Sequence, residues 1–327
     1  MRKKIASILA MLAALALLQG QISDAGQTPR QGGKADSANS GVETVDAGPG
    51  VSCFSHLDNY LRVRADLKGR ETVFHFSGMA YGVTPGDKRR ELFAVEGFTI
   101  GRVMWDGEDG PYLLEKELLL WQDHRTGEIL NKWRNPYTNK DVQALHLGLD
   151  PVNQRLVFPE EERSLLPMIL PSQRLGKQVV WHRELFPSYP SPLPRRDYPH
   201  NSQSDTFQAG EFTQYIVEQS DLDDVRLDSV PAIFTFTEVL PWLPFMEMGD
   251  APGNVILVCR GSKLAGGFQD LPEEIKDFTR QQFPAFTTAP ESYTEPNDTP
   301  WGSFKRQLDL IRAAQQEILD LMEEEYE

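Results

Sequence analysis

The feature that most constrains the fold is a period-two alternation of apolar and polar residues, which recurs from about residue 72 to residue 260. In the first such segment Phe74 and Phe76 fall on one face and His75 falls on the other. This alternation is typical of β-strands, and few helical patterns intervene between the segments. The sequence therefore predicts a mostly β protein, an antiparallel barrel or sandwich that is lipocalin-like in outline.

Two segments with helical spacing follow the predicted strands. The first surrounds Ile275, and the second starts near residue 303, where Phe304 and Leu308 begin an apolar stripe. We therefore predict a β-rich domain over residues 51–302 and a C-terminal helix over residues 303–327.

The first residues have the order of a secretory signal peptide. A basic start precedes the apolar run 5–18, and the small-x-small sequence Ser23-Asp24-Ala25 follows it. The run is shorter than the ~20 residues that a membrane-spanning helix needs. We predict that residues 1–25 are a cleaved signal peptide and that the protein is exported, either periplasmic or secreted. The alternative is an uncleaved membrane anchor.

The composition after the predicted cleavage site favours a soluble, acidic protein. Residues 26–50 are rich in Gly, Ser, Gln and Asp, with almost nothing to bury, which predicts a disordered tether. The whole chain has a formal net charge of −15 at pH 7. Such a surface repels phosphate backbones and anionic headgroups. We therefore expect no nucleic-acid partner, and no membrane partner once the signal peptide is removed.

The cysteines and the absence of common motifs limit the chemistry. Cys53 and Cys259 allow one disulfide in an oxidising compartment, and the alternative is two unpaired, buried thiols. Neither lies in a Cys-x-x-Cys or zinc-ligand spacing. The sequence also lacks a phosphate loop, a Gly-x-Gly-x-x-Gly fingerprint, a Gly-x-Ser-x-Gly elbow and a His-Glu-x-x-His helix. We therefore predict no metal and no cofactor.

Three stretches of sequence together carry a family resemblance. They are Trp-Arg-Asn-Pro-Tyr-Thr at 133–138 with Asp-Pro-Val-Asn at 150–153, Pro-Trp-Leu-Pro-Phe-Met at 241–246, and Glu-Pro-Asn-Asp-Thr at 295–299. In this order they resemble the bacterial family catalogued as domain of unknown function eighteen thirty-eight, over roughly residues 57–306. The resemblance implies a shared fold and frequent export, and it brings no reaction with it. Asn139 stands where the family more often has Gly, and Asn tolerates a left-handed turn position.

Aromatic and polar side chains in these stretches are the candidate ligand-binding residues. Each lies in turn-like sequence at a strand or helix boundary, where a rigid scaffold often positions binding groups. The alternative is structural, since turn and cap hydrogen bonds and packing over the end of the sheet account for the same residues. The predicted set, expected to cluster at one end of the sheet, comprises Trp133, Asn135, Tyr137, Asn153, Trp242, Glu295, Asn297 and Trp301.

Two histidines in predicted strands, with one aspartate, are the candidate catalytic residues. His75 or His146 beside Glu96 or Asp150 would form an acid–base pair. The alternative is that each histidine belongs to the core and has its hydrogen bonds satisfied. The proline-rich segment 187–210 is a further candidate, either as a lid over a site or as a disordered loop.

Three hypotheses for the function follow from the sequence. The first is periplasmic binding of a small apolar or aromatic ligand in a β-barrel cavity. The second is a cofactor-independent isomerase, cyclase or lyase that uses a His/carboxylate pair. The third is an interaction module that forms a homodimer through the C-terminal helix. A cavity with convergent polar groups would favour one of the first two, and a filled core would favour the third.

Overall fold

The computed structural model of the chain describes residues 55–106, 110–158 and 160–323. The predicted signal peptide, the predicted tether and Cys53 lie outside these residues. Within them, strands dominate the chain up to residue 264, and helical segments follow. No helix in the described part of the chain combines the length and the apolar character of a membrane span.

The described strands pair antiparallel, and ten of them form one sheet. In chain order the strands are β1 Thr72–Val83, β2 Arg90–Asp106, β3 Gly110–Gln122, β4 Lys132–Arg134, β5 Asp141–Gln143, β6 Leu147–Leu149, β7 Gln154–Arg155, β8 Ser172–Leu175, β9 Gln178–Leu185, β10 Ser188–Pro190, β11 Thr206–Gln208, β12 Gly210–Glu218, β13 Ile233–Leu240 and β14 Asn254–Leu264. The large sheet runs β6-β3-β2-β1-β14-β13-β12-β9-β8, and β7 also pairs with β3. The pairs β4–β5 and β10–β11 stand apart from it.

This topology confirms the predicted mostly β, antiparallel class. Among the described residues the edge strands β6 and β8 do not pair with each other, so the sheet is an open barrel rather than a closed one. Long strands in an antiparallel order twist and curl. One face of this sheet, here called the concave face, therefore encloses the main core, and the convex face lies outside it.

Aromatic residues at alternate positions build the concave face. Phe74 and Phe76 of β1 lie opposite Thr99 and Gly97 of β2 on this face. A Cβ atom at position 97 would meet the Phe76 ring at 2.8 Å, so glycine there lets the ring lie across the strand. The rings of Phe76 and Phe234 meet edge to face, with their centroids 5.8 Å apart. Aromatic pairs favour this geometry because the positive ring edge meets the negative ring face.

The described α-helices are α1 His56–Arg64, α2 Leu166–Ile169, α3 Gln219–Asp223, α4 Glu273–Gln282 and α5 Pro300–Glu323. Short 3-10 segments lie at Glu160–Leu165, Pro244–Met246, Gly267–Asp270 and Pro284–Thr287. The helices α4 and α5 confirm the two predicted C-terminal helices. The helix α5 begins at Pro300, slightly before the predicted start, because the Thr299 hydroxyl accepts a hydrogen bond from the Gly302 N–H at 3.1 Å and caps it.

The two C-terminal helices pack on opposite faces of the sheet. Ile275 of α4 belongs to a small core on the convex face with Val73 and Phe98. Phe304 of α5 belongs to the main core, where burying a phenylalanine side chain stabilises the fold by ~1.5–3 kcal/mol. The Ser303 hydroxyl donates to the Gly148 carbonyl at 2.9 Å and fixes α5 on the end of β6.

Candidate functional site

A cavity of about 430 Å³ lies on the concave face of the sheet. Its floor consists of inward-facing side chains of the long strands, among them Phe76, Glu117, Phe236 and Glu238. The cavity falls within the range of ~300–1,000 Å³ that is usual for small-molecule sites. An apolar floor interrupted by carboxylates is the first chemical feature of this site.

The cover of the cavity comes from the hairpin β10–β11 and from the start of α5. Tyr189 and Phe207 of the hairpin line the cavity, and their rings stack at 4.7 Å. The Phe207 ring also meets Trp301 of α5 at 4.6 Å. The segment 187–210, predicted to be either a lid or a disordered loop, therefore packs as an ordered cover. The strands of the sheet and this aromatic cover together enclose the cavity.

Three glutamates, here called the cavity glutamates, project from the floor. Glu117 lies on β3 opposite Thr99, and Glu211 of β12 is the direct cross-strand partner of Glu238 of β13. Direct partners on one face have Cβ atoms ~4.5–5.5 Å apart, and like charges in such a pair are destabilising. Among the described residues, none donates a hydrogen bond to a cavity glutamate or forms an ion pair with it within 4.0 Å. The register therefore places carboxylates together and leaves their oxygens free.

Burial and mutual repulsion raise the pKa of all three carboxyl groups. Burial, with Glu211 and Glu115 nearby, raises the pKa of Glu117 to about 7. Burial, followed by repulsion from Glu211 and Glu117, raises the pKa of Glu238 well above its ordinary value. Burial also raises the pKa of Glu211, and Arg183 opposes that rise. Each side chain keeps some accessible area because it faces the cavity, yet it lies deep in the molecule. In the empty cavity these carboxyl groups therefore keep their protons to a higher pH than an exposed glutamate does.

Two further polar groups face the same space. Arg183 of β9 lines the cavity opposite Thr213, and no described carboxylate lies within ion-pairing distance of its guanidinium. Tyr215 is only 7% exposed, and its hydroxyl has no hydrogen-bond partner among the described residues. Burial raises the pKa of Tyr215 to about 12, so the hydroxyl keeps its proton. Buried polar atoms without partners are rare in folded proteins and call for an explanation.

One end of the cavity is closed by a buried ion pair. Arg64 of α1 donates to both carboxylate oxygens of Glu115 at 2.7 Å. Gln154 donates to the same carboxylate at 3.2 Å, and the guanidinium lies 4.7 Å from the centre of the Tyr215 ring. Bidentate arginine–carboxylate pairs are among the strongest hydrogen-bonded contacts in proteins. This pair ties α1 to β3, and Arg64 Nε has no hydrogen-bond partner among the described residues.

The described residues contain no group of three or more His, Cys, Asp or Glu side chains placed to hold a metal ion. The cavity glutamates therefore converge on the same space without forming a set of metal ligands. Their chemistry is that of carboxyl groups that accept or donate protons and hydrogen bonds.

Asn153, Asn297 and Trp301 of the predicted ligand-binding set come together at the wall of the cavity. The Asn153 N–H donates to Asn297 Oδ1 at 2.8 Å, and Asn297 Nδ2 donates to the Asn153 carbonyl at 2.8 Å. Asn153 Nδ2 donates to the Thr294 carbonyl at 3.0 Å. These bonds join the Asp-Pro-Val-Asn turn to the Glu-Pro-Asn-Asp-Thr turn. The side-chain amide groups of Asn153 and Asn297 therefore hold the two turns together.

A family model described as a protein of unknown function (DUF1838) matches residues 69–308. The chain belongs to this family. The family resemblance in the sequence is therefore confirmed. The DUF1838 match includes all three cavity glutamates, whereas α1 and the second half of α5 lie outside it. Among curated proteins, none matches the chain.

Four other predicted residues from the DUF1838 stretches form a second cluster. Asn135 is fully buried, donates to the Met246 carbonyl at 2.5 Å and accepts from the Tyr137 N–H at 2.8 Å. Trp133 donates to the Leu92 carbonyl at 3.3 Å. The Tyr137 ring meets Trp242 at 5.1 Å. None of the four lines the cavity, and their contacts match the structural alternative. Asn139 has φ of 58°, the left-handed conformation expected at its turn.

Asp150 and Glu295 point away from the cavity, although their turns meet at its wall. Asp150 pairs with Lys116 Nζ at 3.3 Å, and Lys116 itself donates to the Ala285 carbonyl on the convex side at 2.7 Å. Glu295 is exposed and accepts a hydrogen bond from the Tyr293 hydroxyl. The structure therefore brings the two turns together without bringing these two carboxylates into one site.

The two histidines lie outside the cavity as well. His75 pairs with Glu96 at 2.9 Å, and Gln122 donates to the other oxygen of Glu96 at 2.8 Å. This pair lies on the convex face, because His75 alternates with Phe74 and Phe76. His146 is buried, accepts from the Trp121 N–H at 3.2 Å and has its pKa lowered to about 4 by burial. The first pair has acid–base character but no cavity beside it, and the second histidine is part of the core.

Cys259 is buried on the concave face and has no disulfide partner among the described residues. Burial, with Glu238 and Glu117 nearby, raises the pKa of its thiol well above the ordinary value. Since Cys53 lies outside the described residues, the predicted Cys53–Cys259 disulfide stays a prediction.

The cavity glutamates, Arg183 and Tyr215 were missed by the sequence interpretation. A signal for them exists in the period-two pattern, because each glutamate occupies an inward position on its strand. Glu117 alternates with Leu119, and Glu238 alternates with Phe236 and Leu240. A charged residue at an inward position of a strand is costly unless it is paired or functional.

Proposed function

We propose that this chain binds a small molecule in the cavity on the concave face, and that it does so outside the cytoplasm. The observation that supports this proposal best is the group of three glutamates, unpartnered among the described residues, in a cavity lined by aromatic, aliphatic and polar side chains. A ligand with an apolar or aromatic body and a polar end fits such a lining, because the rings contact the body and the carboxyl groups orient the end.

The cavity glutamates lower the stability of the fold. A carboxyl group held in an apolar interior loses its hydration, and protein contacts do not restore it here. Leucine or glutamine at the same inward positions would fill space or remove repulsion and would stabilise the fold. Side chains that weaken a fold and converge on a cavity are typical of functional sites.

A second candidate function is a cofactor-independent enzyme that moves a proton. Two cavity carboxyl groups with raised pKa values favour it, since Glu117, with a pKa of about 7, could act as a base and Glu238, whose pKa burial raises well above its ordinary value, could act as an acid. This candidate keeps the isomerase, cyclase or lyase hypothesis and replaces the His/carboxylate pair with two carboxyl groups. The homodimer through α5 also stays a prediction, since Leu310, Leu319 and Leu321 of that helix are exposed.

Binding in the cavity is tested with a neutral fluorescent probe, N-phenyl-1-naphthylamine, and a variant that fills the cavity. Thr213 lines the floor on β12, so we expect Thr213→Phe to weaken probe binding at least about tenfold by occupying the space. Gln214→Phe, at the next, exposed position on the opposite face of the same strand, is the matched control and should bind like the wild type. Equal binding by both variants, or no saturable binding by the wild-type protein, would refute the proposal.

Export is tested by fractionating cells that express the full chain and sequencing the N-terminus of the envelope protein. We expect a mature N-terminus near Gly26, because the cleavage site follows the apolar run at the usual distance. An intact Met1 in cytoplasmic protein would contradict it.

A further inference from the structure

We propose that the ligand of the cavity is an organic cation, an ammonium group attached to a small apolar or aromatic body. This inference rests on the proposed binding function and adds the chemical class of the ligand. It comes from three features of the cavity: its charge balance, its aromatic lining and one free hydroxyl.

The charge balance of the cavity favours a cation. Three cavity glutamates face one guanidinium, that of Arg183, which leaves a surplus of two negative charges when all are ionised. The other charged groups in the lining are already compensated. Arg64 pairs with Glu115, and Asp298 accepts from Arg306 Nη1 at 2.9 Å. A positively charged ligand would balance this surplus of negative charge.

The aromatic lining suits the same group. Phe76 and Phe236 meet edge to face at 5.1 Å, and Tyr215 stacks on Phe234 at 5.9 Å, so several ring faces surround one space. An ammonium group over a ring face is attracted by the negative ring quadrupole, with ~2 kcal/mol or more when water is excluded. Carboxylates together with aromatic faces therefore bind an ammonium group better than either does alone.

The Tyr215 hydroxyl is independent of the carboxylates and points to a donor on the ligand. Tyr215 is 7% exposed and lines the cavity, and no described residue forms a hydrogen bond with its hydroxyl. A hydroxyl oxygen accepts a hydrogen bond from an N–H group or lies against a methylated ammonium group. A carboxylate ligand would contact Arg183, but each cavity glutamate that ionises adds a charge of the ligand's own sign, so the ionised cavity fits an anion poorly.

Cation binding should release protons. Burial raises the pKa of the cavity glutamates in the empty cavity, and a cation between them favours their ionised form. The affinity should therefore rise with pH, by about tenfold per pH unit for each proton released, below the Glu117 pKa of about 7. The titratable and charged groups that face Glu117 and Glu238 from the surrounding elements are Arg64, Glu115, Arg183, Tyr189, Glu211, Tyr215, Cys259 and Asp298.

The experiment compares two probes of the same shape on the full mature chain. Benzyltrimethylammonium carries a permanent charge, and neopentylbenzene has carbon in place of the nitrogen. At pH 8 we expect calorimetry to give at least tenfold tighter binding of the cation, with proton release shown by the dependence of the heat on buffer ionisation enthalpy. At pH 5.5 the preference for the cation should fall by at least tenfold.

Variants separate the carboxylates from the rest of the lining. Glu117→Gln and Glu238→Gln should each weaken cation binding about tenfold or more and leave neopentylbenzene binding unchanged. Glu295→Gln, an exposed acidic residue, is the matched control and should have no effect. Neopentylbenzene binding as tight as the cation at pH 8 would overturn the cation assignment while the binding function survives. If neither probe and no neutral fluorophore binds, both proposals fail. The wild-type comparison decides the question even if a variant does not fold.

Discussion

Two regions of the concave face contain buried charged side chains. In one region these side chains have hydrogen-bond partners, and in the other they have none among the described residues. Beside α1, Arg62 donates to the backbone carbonyls of Leu222 and Leu227, and Lys263 donates to two carbonyls and to the Ser229 hydroxyl at 2.8–3.1 Å. Arg64 and Glu115 form a bidentate pair. In the cavity, a few residues away on the same strands, the glutamates have no partner among the described residues.

This difference separates the buried charged side chains that stabilise the fold from those that do not. A buried charge that stabilises structure is surrounded by hydrogen bonds, since its lost hydration must be replaced. The fold can supply these bonds, because it does so beside α1 over the same sheet. The free carboxyl groups in the cavity are therefore not a general defect of packing. Under the proposed function, they mark the part of the concave face where a ligand supplies the missing partners.

The largest expected effect concerns the Arg64–Glu115 ion pair beside α1. Glu115→Gln leaves the buried Arg64 guanidinium without its counter-charge, and we expect a loss of about 3–5 kcal/mol in the free energy of unfolding. Urea denaturation at pH 7 measures it. A loss below about 1 kcal/mol would mean that this pair is worth no more than a surface ion pair, and the contrast between the two regions would fail.

The Glu→Gln substitution two residues further along β3, at Glu117, should raise the free energy of unfolding instead of lowering it. Glu117→Gln removes a carboxyl group whose proton is held up to a pKa of about 7, which corresponds to a gain of at most roughly 3 kcal/mol above that pH. The folded protein binds this proton more tightly than the unfolded chain, whose pKa is near 4.5. The wild-type protein therefore loses stability between about pH 4.5 and 7, and the loss is complete above pH 7.

The pH dependence of the difference is the control for this prediction. Urea denaturation of wild type and Glu117→Gln should give nearly equal stability at pH 4.5 and a more stable variant at pH 8. Groups far from the cavity titrate alike in both proteins and cancel in the difference, whereas Glu117 is one of the charges that raise the pKa of Glu238. A variant that is less stable than wild type at pH 8 would show that Glu117 has a partner in solution.

The smallest expected effect separates the DUF1838 turns from the cavity chemistry. Asn297→Ala removes the two hydrogen bonds to the Asn153 backbone, so we expect a loss of about 1–3 kcal/mol in stability because the Asn153 N–H is left unpaired. Its exposed neighbour in the same turn provides the comparison, since Glu295→Gln should change stability by less than about 0.5 kcal/mol. Equal effects in thermal denaturation would argue against a structural role for Asn297.

The strands and the C-terminal helices could be predicted from the sequence because their signals are local. Alternation around Phe74 and Phe76 fixes which residues share a face, and the stripe that begins at Phe304 fixes the buried side of α5. The DUF1838 stretches could also be recognised, and the structure joins two of them through Asn153 and Asn297.

The cavity could not be predicted because it depends on pairings between distant strands. Glu211 and Glu238 become neighbours only through the register of β12 with β13, and Glu117 reaches them across the curved sheet. The inward parity of each glutamate is visible in the sequence, but its convergence with the others is not. Residue type alone makes His75 and His146 candidates for catalysis. Strand parity places His75 on the convex face, and His146 is buried in the core.

The pKa of Glu117 in the free protein is the most direct test of the account. Carbon-13 labelled glutamate, with the Glu117 signal identified by its loss in Glu117→Gln, reports that pKa in an NMR titration of the carboxyl shifts from pH 3 to 9. The account predicts a midpoint near 7 for Glu117, as burial and the neighbouring carboxylates require. A midpoint near 4.5, the ordinary value, would show a hydrated or paired carboxylate and would contradict the claim that the cavity glutamates are kept for a ligand.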